Sequence, residues 1–301
     1  PAEGEARDAA AGDAGDAADG LERRELEERG HGPAVAEARE ALGMAPLPPL
    51  RKGGGLYLRS GASALLVDSA RVLDNEAFGA SATRVGEAVF NTSHTGYQEV
   101  LTDPSYREQV VTMTVPHVGN YGVNAEDPES AAVHVSGFIA RRFARLPSSW
   151  RAEGDLHGYL ERNGVPGIHG IDTRALVRHL RDRGAMKCVI STDGTPVEEL
   201  QRALEDWPGM EGRALATEVS VEHSAVVSDP EHPRARFALV DGGCKRNIIR
   251  LLTDAGCYVR VHPITDSAEQ WMDGVDGVFF SNGPGDPAAL TGVIDEVKKV
   301  V

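Results

Sequence analysis

The stretch GVFFSNGPGDPAALTGVIDEVKKVV, residues 277–301, decides the fold. Its first four residues are continuously apolar, as in a strand buried on both faces, and residues 288–301 read as a helix. Between them lies SNGPGDP, residues 281–287. An Asn-Gly pair can turn a β-hairpin, but that needs alternating strands on both sides, and neither flank alternates. Gly283 and Gly285 instead permit positive φ and close approach of a ligand to bare backbone, while Pro284 and Pro287 stiffen the path. Backbone N–H groups held this way suit a developing oxyanion or a carboxylate.

Working towards the N-terminus, the pattern predicts a strand over 257–262, a helix over 245–255 ended by Gly256, and an apolar strand over 237–240, with a short helix over 267–272. Strands alternating with helices at this spacing imply right-handed crossovers and a parallel sheet covered on both faces. In such a sheet, ligands sit at the carboxyl ends of the strands. A second loop therefore qualifies: DGGCKRN, residues 241–247, whose two glycines give a geometry able to aim N–H groups at an anion. It has neither G-x-G-x-x-G nor P-loop spacing, which argues against a nucleotide. Cys244 lacks the following glycine of a nucleophile elbow and an identifiable histidine partner, and reads as a small packing residue.

The front of the chain has a different texture. Residues 64–67 and 88–91 look like short strands in a turn-rich, β-rich region spanning 56–208. Asp172 is a helix cap, with Ile171 and Leu176 at hydrophobic-staple spacing, and that helix is expected to stop at Gly184. Its Arg174, Arg178, Arg181 and Arg183 read as a solvated face. Residues 209–236 lack sustained periodicity, and SDPEHPR at 228–234 reads as an interdomain connection. Residues 1–20 are almost wholly Ala, Gly, Asp and Glu and are expected to be disordered. Residues 21–44 suggest two short helices, and the Pro/Gly-rich run to residue 55 a linker.

Composition narrows the class. A chain of 301 residues with 41% hydrophobic content supports two packed domains. The formal charge of −15 includes −7 within residues 1–44 and argues against nucleic acid or an anionic membrane as partner. Three cysteines without C-x-x-C spacing fit a reducing, cytoplasmic setting better than a disulfide framework or zinc ribbon. His94 and His117 lack metal-ligand spacing. No stretch approaches a spanning helix, and the acidic start is not a signal peptide.

Taken in order, GEAVFNTSHTGYQEVLTDPSY (86–106), PHVGNYGVN (116–124), GIDTRALVRHLRDRGAM (170–186), CKRNIIRLL (244–252) and FFSNGPGDPA (279–288) resemble the small subunit of carbamoyl-phosphate synthase. The resemblance covers roughly residues 64–301. It implies a β-rich N-terminal domain followed by an incomplete flavodoxin-like, class I glutamine amidotransferase domain over 237–301. It also implies hydrolysis of glutamine, with ammonia passed to a large subunit that makes carbamoyl phosphate for pyrimidine and arginine synthesis. Ser105, Gly283 and Gly285 match the family's glutamine-binding positions. No cofactor or metal is implied on this chain, ATP and Mg being expected on the large subunit. The family's nucleophile lies in a G-I-C-L-G-H-Q turn after the next strand, and its histidine and glutamate later still. No catalytic residue is therefore expected before Val301, and the chain alone is expected to be inactive. The competing expectations are a truncated scaffold docking onto the large subunit, and a class I amidotransferase of another synthase.

Overall fold

The computed structural model describes residues 56–60, 63–67 and 76–301, the first two spans as backbone strands only. The arm, helices and linker expected over residues 1–55 lie outside the described residues.

In chain order the first half contains β1 (Leu56–Ser60), β2 (Ser63–Val67), β3 (Glu76–Gly79), β4 (Thr83–Asn91), α1 (Tyr97–Thr102), β5 (Gln109–Met113) and β6 (His117–Val118). There follow β7 (Gly137–Ala140), β8 (Arg142–Phe143), α2 (Leu156–Arg162), β9 (Pro166–His169), α3 (Thr173–Arg183), β10 (Met186–Ser191) and α4 (Val197–Asp206). Eight of these strands form one sheet in the order β1-β2-β10-β4-β5-β7-β9-β3, parallel from β4 to β9 and antiparallel elsewhere.

Side-chain alternation explains why its central strands carry buried apolar residues at both parities. On β5, Val110 joins a core with Ile139, Ile168, Leu176 and Ile190 on one face. Its neighbours Val111 and Met113 join Phe138, Leu156 and Leu160 on the other. Helices cover both faces, so both parities must be apolar. α3 shows the local logic as expected: Asp172 Oδ1 accepts from the Ala175 N–H at 3.0 Å, Ile171 and Leu176 are both buried, and Gly184 with φ +88° ends the helix. Its four arginines are exposed.

The second half contains α5 (Ala216–Val219), β11 (Ala225–Ser228), β12 (Arg236–Asp241), α6 (Arg246–Asp254), β13 (Tyr258–Pro263), α7 (Ala268–Met272), β14 (Gly277–Phe280) and α8 (Thr291–Val300). The sheet order is β11-β13-β12-β14, with β12 parallel to both β13 and β14. The three parallel strands thus stand in the 2-1-3 order of flavodoxin-like folds. On β12, Ala238 and Val240 pack beneath Trp271 and α8, whereas Leu239 packs against Ile248, Ile249 and Leu252 of α6.

Three elements differ from the sequence expectation. β14, expected to be buried on both faces, is an edge strand that leaves Phe279 and Phe280 exposed. Residues 209–236 are not merely a connection, since β11 pairs antiparallel with β13 and closes that sheet edge. Its side chains are largely exposed, which removes the alternation that would have marked a strand. β4 begins at Thr83 rather than residue 88, and Gly86 within it masks the pattern. A Cβ there would fall inside contact distance of the Glu108 carbonyl oxygen, so the glycine marks a close backbone approach.

Candidate functional site

The 2-1-3 order reverses direction between β12 and β14, and ligands in open α/β sheets sit beyond the strand carboxyl ends at that point. Both loops singled out in the sequence, residues 241–247 and 281–287, leave the sheet there.

The first loop is closed on itself. Asp241 Oδ1 accepts from Gly243 N–H at 2.9 Å and Cys244 N–H at 2.6 Å, and its Oδ2 accepts from Val221 N–H at 2.8 Å. The first two amides of α6 are taken by the first half of the molecule: Arg246 N–H donates to the Glu129 carbonyl at 2.8 Å and Asn247 N–H to Glu129 Oε2 at 2.9 Å. With Gly242 N–H given to Ser281, every amide from Gly242 to Asn247 except that of Lys245 is engaged, which corrects the expectation that this loop aims its paired glycine amides at an anion. Cys244 packs beside Leu239 and Val259. Burial, reinforced by Asp241 and Glu129, pushes its thiol up to about 12, away from thiolate chemistry.

The second loop is anchored at both ends and open between. Ser281 N–H donates to Val240 O at 3.1 Å, and Ser281 Oγ accepts from Gly242 N–H at 2.9 Å. At the far end, Asp286 N–H donates to Arg213 O at 2.9 Å, and the Asp286 carboxylate accepts from Gly212 N–H and Ala288 N–H, each at 2.9 Å. Those two amides hold its carboxyl below the usual range. Among the described residues, the N–H groups of Gly283 and Gly285 meet no acceptor.

Both glycines are sterically required. A Cβ on Gly283 would collide with the Gly242 carbonyl oxygen, so the two loops touch backbone to backbone. Gly285 has φ +84°, and a Cβ there would lie 2.5 Å from Arg213 O.

Ser105 comes from the other half of the chain and arrives at the same place. Asp103 Oδ1 accepts the Ser105 N–H at 2.9 Å and starts the 3-10 turn Pro104–Tyr106. The Ser105 hydroxyl accepts a hydrogen bond from Asn282 Nδ2. Three ion pairs hold this arrangement across the halves: Lys245 with Asp103 at 2.8 Å, Arg107 with Glu218 at 2.7 Å, and Arg213 with Glu108 through both terminal guanidinium nitrogens. A bidentate pair of that kind fixes orientation as well as separation. It draws the Glu108 carboxyl below its usual range.

A pocket of about 450 Å3 opens beside the loop, within the roughly 300–1,000 Å3 typical of small-molecule sites. Ser105, Gly283 and Gly285 all line it, facing Glu87 and Gln109 of β4 and β5. The structure thus brings together the three residues singled out in the sequence. Sequence reasoning missed Asp103, Asn282, Lys245, Glu129 and Asp241, which position the loops, and Glu87, which faces them. Asp103 and Asn282 adjoin Ser105 and Gly283 in the quoted motifs, but their partners lie over a hundred residues away. His94 and His117 are exposed. No group of three metal-ligating side chains occurs among the described residues, and no helix among them is long and apolar enough to cross a membrane.

Comparison with known proteins agrees with this geometry. Residues 65–190 match the family described as carbamoyl-phosphate synthase small chain, CPSase domain, and residues 238–301 match glutamine amidotransferase class-I. The carbamoyl phosphate synthase small chain of Akkermansia muciniphila is 46% identical over 246 residues, covering 79% of this chain and 66% of that protein. The protein of the same name from Streptomyces avermitilis is 46% identical over 244 residues, 79% of this chain and 63% of that one. The one from Nitratidesulfovibrio vulgaris is 45% identical over 252 residues, 78% and 67%. The chain spans about two thirds of the length of these relatives. At that identity and coverage, with both halves matched in order, the chain belongs to the carbamoyl-phosphate synthase small-chain family.

Proposed function

We propose that this chain forms the glutamine-holding part of a glutamine-hydrolysing small subunit of carbamoyl-phosphate synthase. The observation that carries the reading is the hydrogen bond from Asn282 to Ser105 beside the open N–H groups of Gly283 and Gly285. It joins a motif of the first half to a loop of the second around one pocket. An amino-acid carboxylate or an amide-derived oxyanion is the ligand that unpaired amides and a hydroxyl accommodate at low cost.

The reading separates holding from attack. Cys188 and Cys257 are buried, and Cys244 is kept protonated at neutral pH. None of the three suits nucleophilic attack, so the proposal assigns substrate binding to these residues and the attacking thiol to the turn that the family carries after its next strand. Ammonia released there passes to a large subunit, which supplies ATP and Mg chemistry and forms carbamoyl phosphate for pyrimidine and arginine synthesis in the cytoplasm.

The direct test is titration of the isotope-labelled chain with L-glutamine, read by amide NMR. Saturable shifts at Gly283, Gly285 and Ser105 are expected, whereas unchanged spectra at millimolar glutamine sink the reading. Co-purification with a carbamoyl-phosphate synthase large subunit tests the partner separately.

A further inference from the structure

Resting on the glutamine reading, one residue facing the loop completes the recognition chemistry. A free amino acid carries a carboxylate and an ammonium on the same carbon. The open amides of Gly283 and Gly285 and the Ser105 hydroxyl suit the first, and the second needs an anion on the same pocket. Three carboxylates line it: Glu87, Glu211 and Asp286. Asp286 already accepts one backbone N–H on each oxygen. Glu211 is exposed, where solvent screens an ion pair. Glu87 is half-buried on β4, its Oε2 fixed by Gln109 Nε2 at 3.0 Å, and its Oε1 meets no partner among the described residues. Burial raises its pKa, as expected for an anion lacking a cationic neighbour. An arriving ammonium would supply that cation.

We propose that Glu87, oriented by Gln109, is the specificity residue that recognises the α-ammonium of the bound amino acid. The pocket would then select a zwitterionic α-amino acid over an amide acid of the same length that lacks the amino group.

The experiment compares two ligands on three proteins. L-Glutamine and 4-carbamoylbutanoate, which is glutamine without its α-amino group, are titrated into the wild-type chain, Glu87→Gln and Glu211→Gln. The wild type is expected to prefer glutamine. Glu87→Gln should weaken glutamine about tenfold, corresponding to about 1.4 kcal/mol, while 4-carbamoylbutanoate binding stays within about twofold, because a neutral ligand end loses no ion pair. Glu211→Gln should keep the wild-type preference.

Equal weakening of both ligands by Glu87→Gln, or no weakening of either, overturns the role of Glu87 and leaves the glutamine reading standing. Loss of the preference in Glu211→Gln also overturns it. Wild-type chain that binds neither ligand overturns the glutamine reading itself. Glu87→Asp keeps the charge and is expected to retain the preference, so a folding defect in the Gln variant does not decide the matter.

Discussion

The loops at residues 241–247 and 281–287 occupy equivalent positions, leaving adjacent parallel strands at the point where the sheet order reverses. Each contains two glycines, and their backbones touch where Gly283 meets Gly242. They nevertheless have opposite capacities for a ligand. In the first, Asp241, Ser281 and Glu129 have taken every amide from Gly242 to Asn247 but that of Lys245. In the second, carboxylate and hydroxyl anchors stand at the two ends, and the amides between them are open. Glycine content and place in the sheet therefore do not make an anion site. What decides is whether the protein's own carboxylates reach the loop amides first.

The strongest way to break the contrast is to remove the open loop. Gly285→Ala places a Cβ 2.5 Å from Arg213 O on a residue with φ +84°. The strain is expected to cost about 2–3 kcal/mol of stability. Glutamine binding should fall about a hundredfold as the amides turn away, corresponding to about 2.7 kcal/mol. Thermal unfolding and the glutamine titration check the two effects, and an alanine variant with unchanged affinity would falsify the role given to this loop.

Next in size is the converse experiment, opening the closed loop. Asp241→Asn leaves one side-chain acceptor where three N–H groups converge, and a stability loss of about 1–3 kcal/mol is expected for the buried donors left unpaired. The Cys244 thiol should then titrate below its present value of about 12, because burial persists but one of the charges raising it is gone. The pH dependence of iodoacetamide alkylation, read by mass spectrometry, reports the change. An unchanged Cys244 profile argues against Asp241 as a cause of its inertness.

These two loops also mark how far the sequence could be read. The strands over 237–240 and 277–281 were legible from their apolar runs, that over 257–262 from Cys257, Val259 and Val261 on one face, and α3 because Asp172, Ile171, Leu176 and Gly184 are local signals. β11 was not, since an exposed edge strand has no buried parity to display. Ser105, Gly283 and Gly285 were found through motifs. The difference between the loops was hidden, because Glu129 lies 118 residues from Asn247, and only the fold brings them into contact. A cap supplied from so far away leaves no local pattern. Asp241 was visible at the head of its loop, yet nothing in DGGCKRN says that its side chain folds back onto Gly243 and Cys244.

A smaller effect sharpens the contrast without disturbing the fold. Ser105→Ala removes the hydroxyl that accepts from Asn282, but the turn persists because Asp103 still caps the backbone N–H of residue 105. Glutamine affinity is expected to fall about tenfold, corresponding to about 1.4 kcal/mol, with the melting temperature nearly unchanged. An unchanged affinity would remove Ser105 from the site. A large drop in melting temperature would instead assign it a structural role, bracing the two halves.

The smallest effect concerns the tether at the far end of the open loop. Asp286 accepts from the Gly212 and Ala288 N–H groups, which hold its folded-state carboxyl below the ordinary value, near 3.9 for an unfolded chain as a rough reference. Its contribution to stability is therefore fully present above about pH 4 and is lost as pH falls through the depressed folded value. Asp286→Asn lacks that ionisation, so the melting-temperature gap between wild type and variant should be flat from about pH 8 to about pH 5 and close at more acid pH. A gap that persists unchanged under acid conditions would show that the tether depends on shape rather than charge. Glutamine affinity should weaken over the same acid window, because slackening at Gly212 and Ala288 frees the loop segment carrying Gly285. The closed loop supplies the internal reference: the Gly243 and Cys244 amide resonances should not follow the Asp286 titration, since Asp241 rather than Asp286 holds them.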